Sequence, residues 1–114
     1  MAVQPPQPLY PPSGWILRWQ HLIPAGGSVL DVACGHGRHL YALQDQDLRL
    51  TGVDRAPEAI ASLRPLAAAG AEIVQADIEN GPWPFAGRQF DAVLVTNYLW
   101  RPRLADIVAA VAPG

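Results

Sequence analysis

Residues 28–38 read Ser28-Val29-Leu30-Asp31-Val32-Ala33-Cys34-Gly35-His36-Gly37-Arg38, and no other stretch limits the fold as strongly. A short apolar run carries an acid, breaks into a glycine-rich turn and enters a helical pattern. Gly35 and Gly37 lack the side chains that would keep a ligand from the backbone. The helix that follows offers unpaired N–H groups to a partial negative charge. Asp31 can accept hydrogen bonds from ligand N–H or O–H groups, or pin the turn. A second acid, Asp54, closes the next apolar run 23 residues later. A carboxylate there suits a bidentate bond to a ribose diol. The turn is read as a small-molecule site, and the spacing points to a cofactor with ribose hydroxyls.

The rest of the chain repeats the alternation. Strands are expected at 28–32, 48–54, 71–76 and 89–96, and helices at 37–45, 57–69 and 103–111. Residues 80–87, dense in Gly and Pro around Trp83, read as a loop. Upstream, Ser13 is a candidate N-cap for a helix with Trp15, Ile16, Trp19, Leu22 and Ile23 at helical spacing, stopped by Pro24 and Gly26-Gly27. Residues 4–14 hold five prolines, so 1–14 is expected to be an extended arm and 15–114 the folded part. Strands alternating with helices imply right-handed crossovers and a parallel sheet covered on both faces. Such sheets bind ligands at the carboxyl ends of their strands. Asp31, Gly35, Gly37, Asp54, Asp77 and Asn97 all fall there.

Composition narrows the function classes. The 114 residues have room for one domain, and 50% hydrophobic against 16% charged residues indicates a globular chain. The net charge is −2 with no block of like charge, which argues against nucleic-acid binding. Arg101 and Arg103 are too few for a basic stripe and read as solvated or structural. No apolar run approaches the roughly 20 residues that span a bilayer. The longest, 104–112, is interrupted by Asp106. The N-terminus lacks the basic and apolar regions of a signal peptide. The lone Cys34 rules out an intrachain disulfide, and a cytoplasmic protein is expected.

Competing chemistries fit less well. A dinucleotide fingerprint needs a third small residue where Leu40 stands, and Asp31 is unwelcome beside a pyrophosphate. No Gly-Lys-Ser/Thr follows the turn, so a P-loop is excluded. Cys34, His36 and His39 have a metal-like spacing without an evident fourth ligand. Asp31, Asp91 and Asp106 would make a paired-carboxylate site only if brought together, and they lie on different elements. A purely structural strand–turn–helix is the remaining alternative.

Val29-Leu30-Asp31-Val32-Ala33-Cys34-Gly35-His36-Gly37 resembles the first motif of class I S-adenosylmethionine-dependent methyltransferases. Leu50-Thr51-Gly52-Val53-Asp54 resembles the second, which holds the ribose-binding acid. Gln75-Ala76-Asp77-Ile78 resembles the third, where an acid meets the adenine amino group and the next residue covers the ring. Residues 90–98 resemble the fourth strand and the turn after it. The resemblance implies a three-layer Rossmann-like fold with a mostly parallel sheet, here about four strands in the order 3-2-1-4. It implies S-adenosylmethionine as cofactor and S-adenosylhomocysteine as product; the acceptor is not identified by the motifs, and a small molecule is expected. The implied cofactor residues are Asp31, Ala33, Cys34, Gly35, Gly37, Asp54, Arg55, Asp77, Ile78 and Asn97, with Asn97 and Tyr98 nearest the methyl group.

Three departures stand out. Ala33 replaces the family's first glycine. Asn97-Tyr98-Leu99-Trp100 lacks the prolines of the amino-group methyltransferases, which weakens a DNA or amine acceptor. The sequence stops at Ala112-Pro113-Gly114, where the turn into a fifth strand begins, so a fragment is expected. An open fourth-strand edge over 89–96 is then expected to self-associate. The alternative reading is a non-catalytic nucleoside-binding or interaction module of the same fold.

Overall fold

The computed structural model describes residues 23–95 and 101–112. The expected arm at 1–14, most of the helix after Ser13, and Asn97 and Tyr98 lie outside them. The described elements are β1 (Gly27–Val32), α1 (Arg38–Leu43), β2 (Leu48–Asp54), α2 (Pro57–Ser62), α3 (Arg64–Ala68), β3 (Glu72–Gln75), β4 (Ala92–Leu94), a 3₁₀ turn (Arg101–Arg103) and α4 (Leu104–Ala109). The strands form one parallel sheet in the order β3-β2-β1-β4. The fold class and strand order are those expected from the sequence.

Period-two alternation sends neighbouring strand residues to opposite faces. Val29, Leu50 and Leu94 pack with Leu40, Leu43, Leu63 and Leu66 beneath α1, α2 and α3. Leu30, Val32 and Val53 pack on the other face with Ile78, Phe85, Phe90, Ile107 and Ala110. In the loop before β4, Phe85 stands edge-on to both Trp83 and Phe90, at 5.4 and 5.7 Å. Burying these rings lets a Gly- and Pro-rich loop share this face of the sheet with the helix that carries Ile107.

Several boundaries differ from the expected ones. The helix expected over 57–69 is two helices, because Leu63 turns out of helical geometry at φ −96° and ψ 3°. Pro65 has no N–H to continue the first helix and sits early in the second, where none is needed. The strand expected over 89–96 shrinks to Ala92–Leu94. Asp91 turns its carboxylate to the Ser28 N–H at 2.8 Å. Phe90 donates its N–H to the Ala110 carbonyl at 2.7 Å and accepts from the Ala112 N–H at 2.8 Å. The chain itself therefore covers one end of the edge expected to be open. The first and last helices are also shorter, Arg38–Leu43 and Leu104–Ala109. Among the described residues no helix is long and apolar enough to cross a membrane.

Candidate functional site

The site is assembled where β1, β2 and β3 end. The β1–β2 ladder runs past Val32, with the Cys34 N–H donating to the Val53 carbonyl at 2.9 Å. The turn then closes through the Gly37 N–H and the Cys34 carbonyl at 3.0 Å. Gly35 and Gly37 take left-handed backbone angles, φ 58° and 81°. Ala33 does so too, at φ 57°, against the preference of a residue with a Cβ. A Cβ on Gly37 would run into the Leu63 Cδ2 atom, so this glycine lets α1 close on α2 and α3. A Cβ on Gly35 would meet open space, which leaves its backbone approachable.

Asp54, half-buried at the end of β2, accepts the Gly35 N–H at 3.1 Å and the Ala56 N–H at 3.0 Å, one on each carboxylate oxygen. Each oxygen keeps a further lone pair for a ligand hydroxyl. Asp77 follows β3. Its Oδ1 accepts the Glu79 and Asn80 N–H groups at 3.0 and 3.2 Å, and its Oδ2 the Asn80 side-chain amide at 3.1 Å. These bonds, the Asn80 amide first, hold the Asp77 carboxyl below its usual range. Between the two acids lies a cavity of about 200 Å³ lined by Ala33, Asp54, Arg55, Ala56, Asp77, Ile78 and Glu79, among others. Of the expected cofactor residues it gathers Ala33, Asp54, Arg55, Asp77 and Ile78.

Asp31 lies one layer deeper, between Gly52 of β2 and Leu94 of β4, at 1% exposure. Its Oδ2 has no hydrogen-bond partner among the described residues. Burial pushes its carboxyl up to about 7, opposed by the Arg38 charge and reinforced by Asp54. A buried acceptor without a donor is costly, and a ligand donor is the arrangement that would satisfy it. Cys34 is buried against Gly52 and Leu40, and burial, with Asp31 and Asp54, drives its thiol well above the ordinary range. That makes it a packing residue beside the turn rather than a nucleophile.

The competing constellations do not converge. His36 Nδ1 lies 3.0 Å from Ser62 Oγ. Since that hydroxyl donates to the Ala59 carbonyl at 2.6 Å, it accepts from His36, which fixes the proton on Nδ1. His39 is buried and Cys34 faces β2, so the three have different neighbours. Asp91 sits at the start of the strands on Ser28, and Asp106 pairs with Arg103 at 2.8 Å. Neither meets Asp31.

Residues 29–114 match the methyltransferase domain family. The chain belongs to that family. The cofactor of this family is S-adenosylmethionine. The bifunctional methionine biosynthesis protein MetXA/MetW of Rhodopirellula baltica is 36% identical over 87 residues, covering 68% of this chain and 14% of that protein. The TehB-like SAM-dependent methyltransferase of Corynebacterium glutamicum superposes with a TM-score of 0.69 at 24% identity, over 84% of this chain and 55% of that one. A SAM-dependent methyltransferase from Thiobacillus denitrificans, solved with S-adenosyl-L-homocysteine, superposes with a TM-score of 0.67 at 16% identity, over 90% of this chain and 46% of that one. The chain thus spans about half the length of these two solved structures.

Within this methyltransferase domain the donor set fits the family's cofactor. An approachable glycine backbone, an unsatisfied buried carboxylate and two acids on one cavity match a ligand with an ammonium, a ribose and an adenine. Sequence reading did not pick out Ala56 or Glu79 of the cavity wall, although each lies two residues beyond a motif acid. Arg103 reads as solvated or structural, and nothing in the local sequence shows its reach to Ile78 and Gly81.

Proposed function

We propose that this chain is the cofactor-binding part of an S-adenosylmethionine-dependent methyltransferase acting on a small-molecule acceptor. The reading rests on one observation: the cavity between Asp54 and Asp77 gathers residues from the ends of three strands. Bound there, S-adenosylmethionine would supply a sulfonium methyl for in-line displacement by an acceptor nucleophile, with S-adenosylhomocysteine as the leaving group. The chain's own residues position it. Asp54 accepts the ribose hydroxyls while holding the glycine turn. Asp31 receives the ammonium on its unsatisfied oxygen. Asp77 and Ile78 meet the adenine edge and face. A reaction driven by the donor's leaving group needs position and electrostatics more than an acid–base triad.

A small-molecule acceptor is supported by the net charge of −2 and the lack of any basic block. The single cysteine accords with a reducing, cytoplasmic setting. Self-association belongs to the same proposal, through the edge of 89–96 beyond the Phe90 bonds to Ala110 and Ala112. A clean monomer by light scattering at high concentration would count against it.

The test of the cofactor is calorimetric titration with S-adenosylhomocysteine. Saturable binding is expected. No binding by a folded sample overturns the assignment for this chain. Transfer of labelled methyl to small-molecule extract fractions then tests the activity.

A further inference from the structure

We infer that Arg103 is a positioning residue for the adenine end of the cofactor, acting through the loop after β3; this rests on the cofactor reading above. Arg103 lies in the 3₁₀ turn that leads into α4, after β4, the strand at the opposite edge of the sheet from β3. Its guanidinium nonetheless reaches that loop. Nε donates to the Ile78 carbonyl at 2.7 Å and Nη2 to the Gly81 carbonyl at 2.6 Å. Nη1 donates to the Asp106 carboxylate at 2.8 Å, which neutralises and aims the group.

The loop needs such a clamp on one side only. Asp77 already satisfies the Glu79 and Asn80 N–H groups, and its carbonyl accepts the Gly81 N–H at 2.8 Å. Those bonds close the turn from within and leave the Ile78 and Gly81 carbonyls facing away from it. Arg103 takes both, across 22 to 25 positions of sequence. Ile78 is thereby fixed at both ends, its side chain buried in the aromatic face of the core and its backbone on the guanidinium. Asp77, Ile78 and Glu79 line the cavity, so its adenine side is set by a residue that does not line it. A planar fork can donate in three directions with fixed geometry, whereas an ammonium cannot reproduce that spread. Arg103→Lys should therefore recover only part of the function.

The experiment compares wild type, Arg103→Ala, Arg103→Lys and, as a control remote from the cavity, Arg88→Ala. Titration with S-adenosylhomocysteine and with 5′-methylthioadenosine is read beside amide exchange at Glu79, Asn80 and Gly81. Arg103→Ala should weaken both ligands by the same factor, about tenfold, and speed exchange at those amides. Equal loss for the two ligands locates the effect at the adenosine end. Arg103→Lys should lie between, and Arg88→Ala should keep wild-type affinity whatever it does to the melting temperature. Wild-type binding with Arg103→Ala within twofold of it, or unchanged loop exchange, overturns the assignment. Failure of the wild type to bind is a different result, and it overturns the cofactor reading on which the assignment rests.

Discussion

Gly35 and Asp54 are joined by a 3.1 Å hydrogen bond from the glycine N–H to the carboxylate Oδ1. The turn after β1 and the end of β2 are thus one unit, and the acid assigned to the ligand is already part of the scaffold. A carboxylate held by two backbone N–H groups cannot swing away when the cavity is empty. Its remaining lone pairs are pre-aimed, which lowers the ordering cost of binding.

Asp54→Ala should therefore fail in two separable ways. Losing a charge-assisted acceptor should weaken S-adenosylhomocysteine by about 1–3 kcal/mol. Leaving the Gly35 and Ala56 N–H groups without their partner should also lower unfolding free energy by about 1–3 kcal/mol. Titration reads the first and urea denaturation the second. Unchanged affinity in a folded mutant would remove Asp54 from the ligand site.

Gly37→Ala tests the close approach of the turn to the helices. The glycine sits at φ 81°, and an added Cβ meets Leu63, Tyr41 and Leu66. Backbone strain and overpacking together should cost about 2–4 kcal/mol. Gly87→Ala is the matched control, since Gly87 has φ 79° and nothing within 4 Å of the added atom. It should pay the backbone strain alone. Equal losses in urea denaturation would show that packing at Gly37 is unimportant.

Much of this site was legible in the sequence because its parts are local. The turn from Asp31 to Gly37, and the acids ending β2 and β3, sit at strand ends that short apolar runs reveal. The parallel sheet followed from strand–helix alternation. Tertiary pairing was not legible. Nothing near Phe90 says that its backbone bonds go to Ala110 and Ala112, so β4 was expected to be longer than it is. Ala33 shows in the sequence as a missing glycine, but its left-handed backbone angle does not. Arg103 reads as a solvated or structural arginine in the sequence because its partners lie 22 and 25 residues away.

Ala33→Gly probes that backbone angle. Relief of the left-handed penalty at φ 57° is worth about 1–2 kcal/mol, and the added freedom of glycine in the unfolded chain costs about 0.5–1 kcal/mol. The variant should match or slightly exceed wild-type stability. Ala33→Val adds a β-branched side chain at the same angle and at the cavity wall, so it should lose both stability and ligand affinity. A glycine variant less stable than wild type by more than about 1 kcal/mol would mean that the methyl group packs better than its strain suggests.

The pH dependence of stability should be shallow in the wild type because two buried groups oppose each other. Burial raises Asp31 from 3.8 to about 7, so the folded state holds a proton that the unfolded state has released, and stability falls as pH rises across that window. Burial, with the Arg38 charge, lowers His39 from 6.5 to about 4, so the unfolded state takes the proton first and stability falls as pH drops through that window. The slopes have opposite sign where the windows overlap, between about pH 4 and 6.5. Asp31→Asn removes the first and should leave stability rising with pH over this range, seen as a melting temperature that climbs from pH 4 to 6.5. Binding adds a second signature. If the cofactor's ammonium meets Asp31, the ionised carboxylate is the binding form. S-adenosylhomocysteine affinity should then rise toward pH 7, with proton release on binding below it, and Asp31→Asn should abolish both. Calorimetry in buffers of different ionisation enthalpy reads that proton directly. Binding without proton release at pH 6 would separate Asp31 from the ammonium and leave its unsatisfied oxygen to another donor.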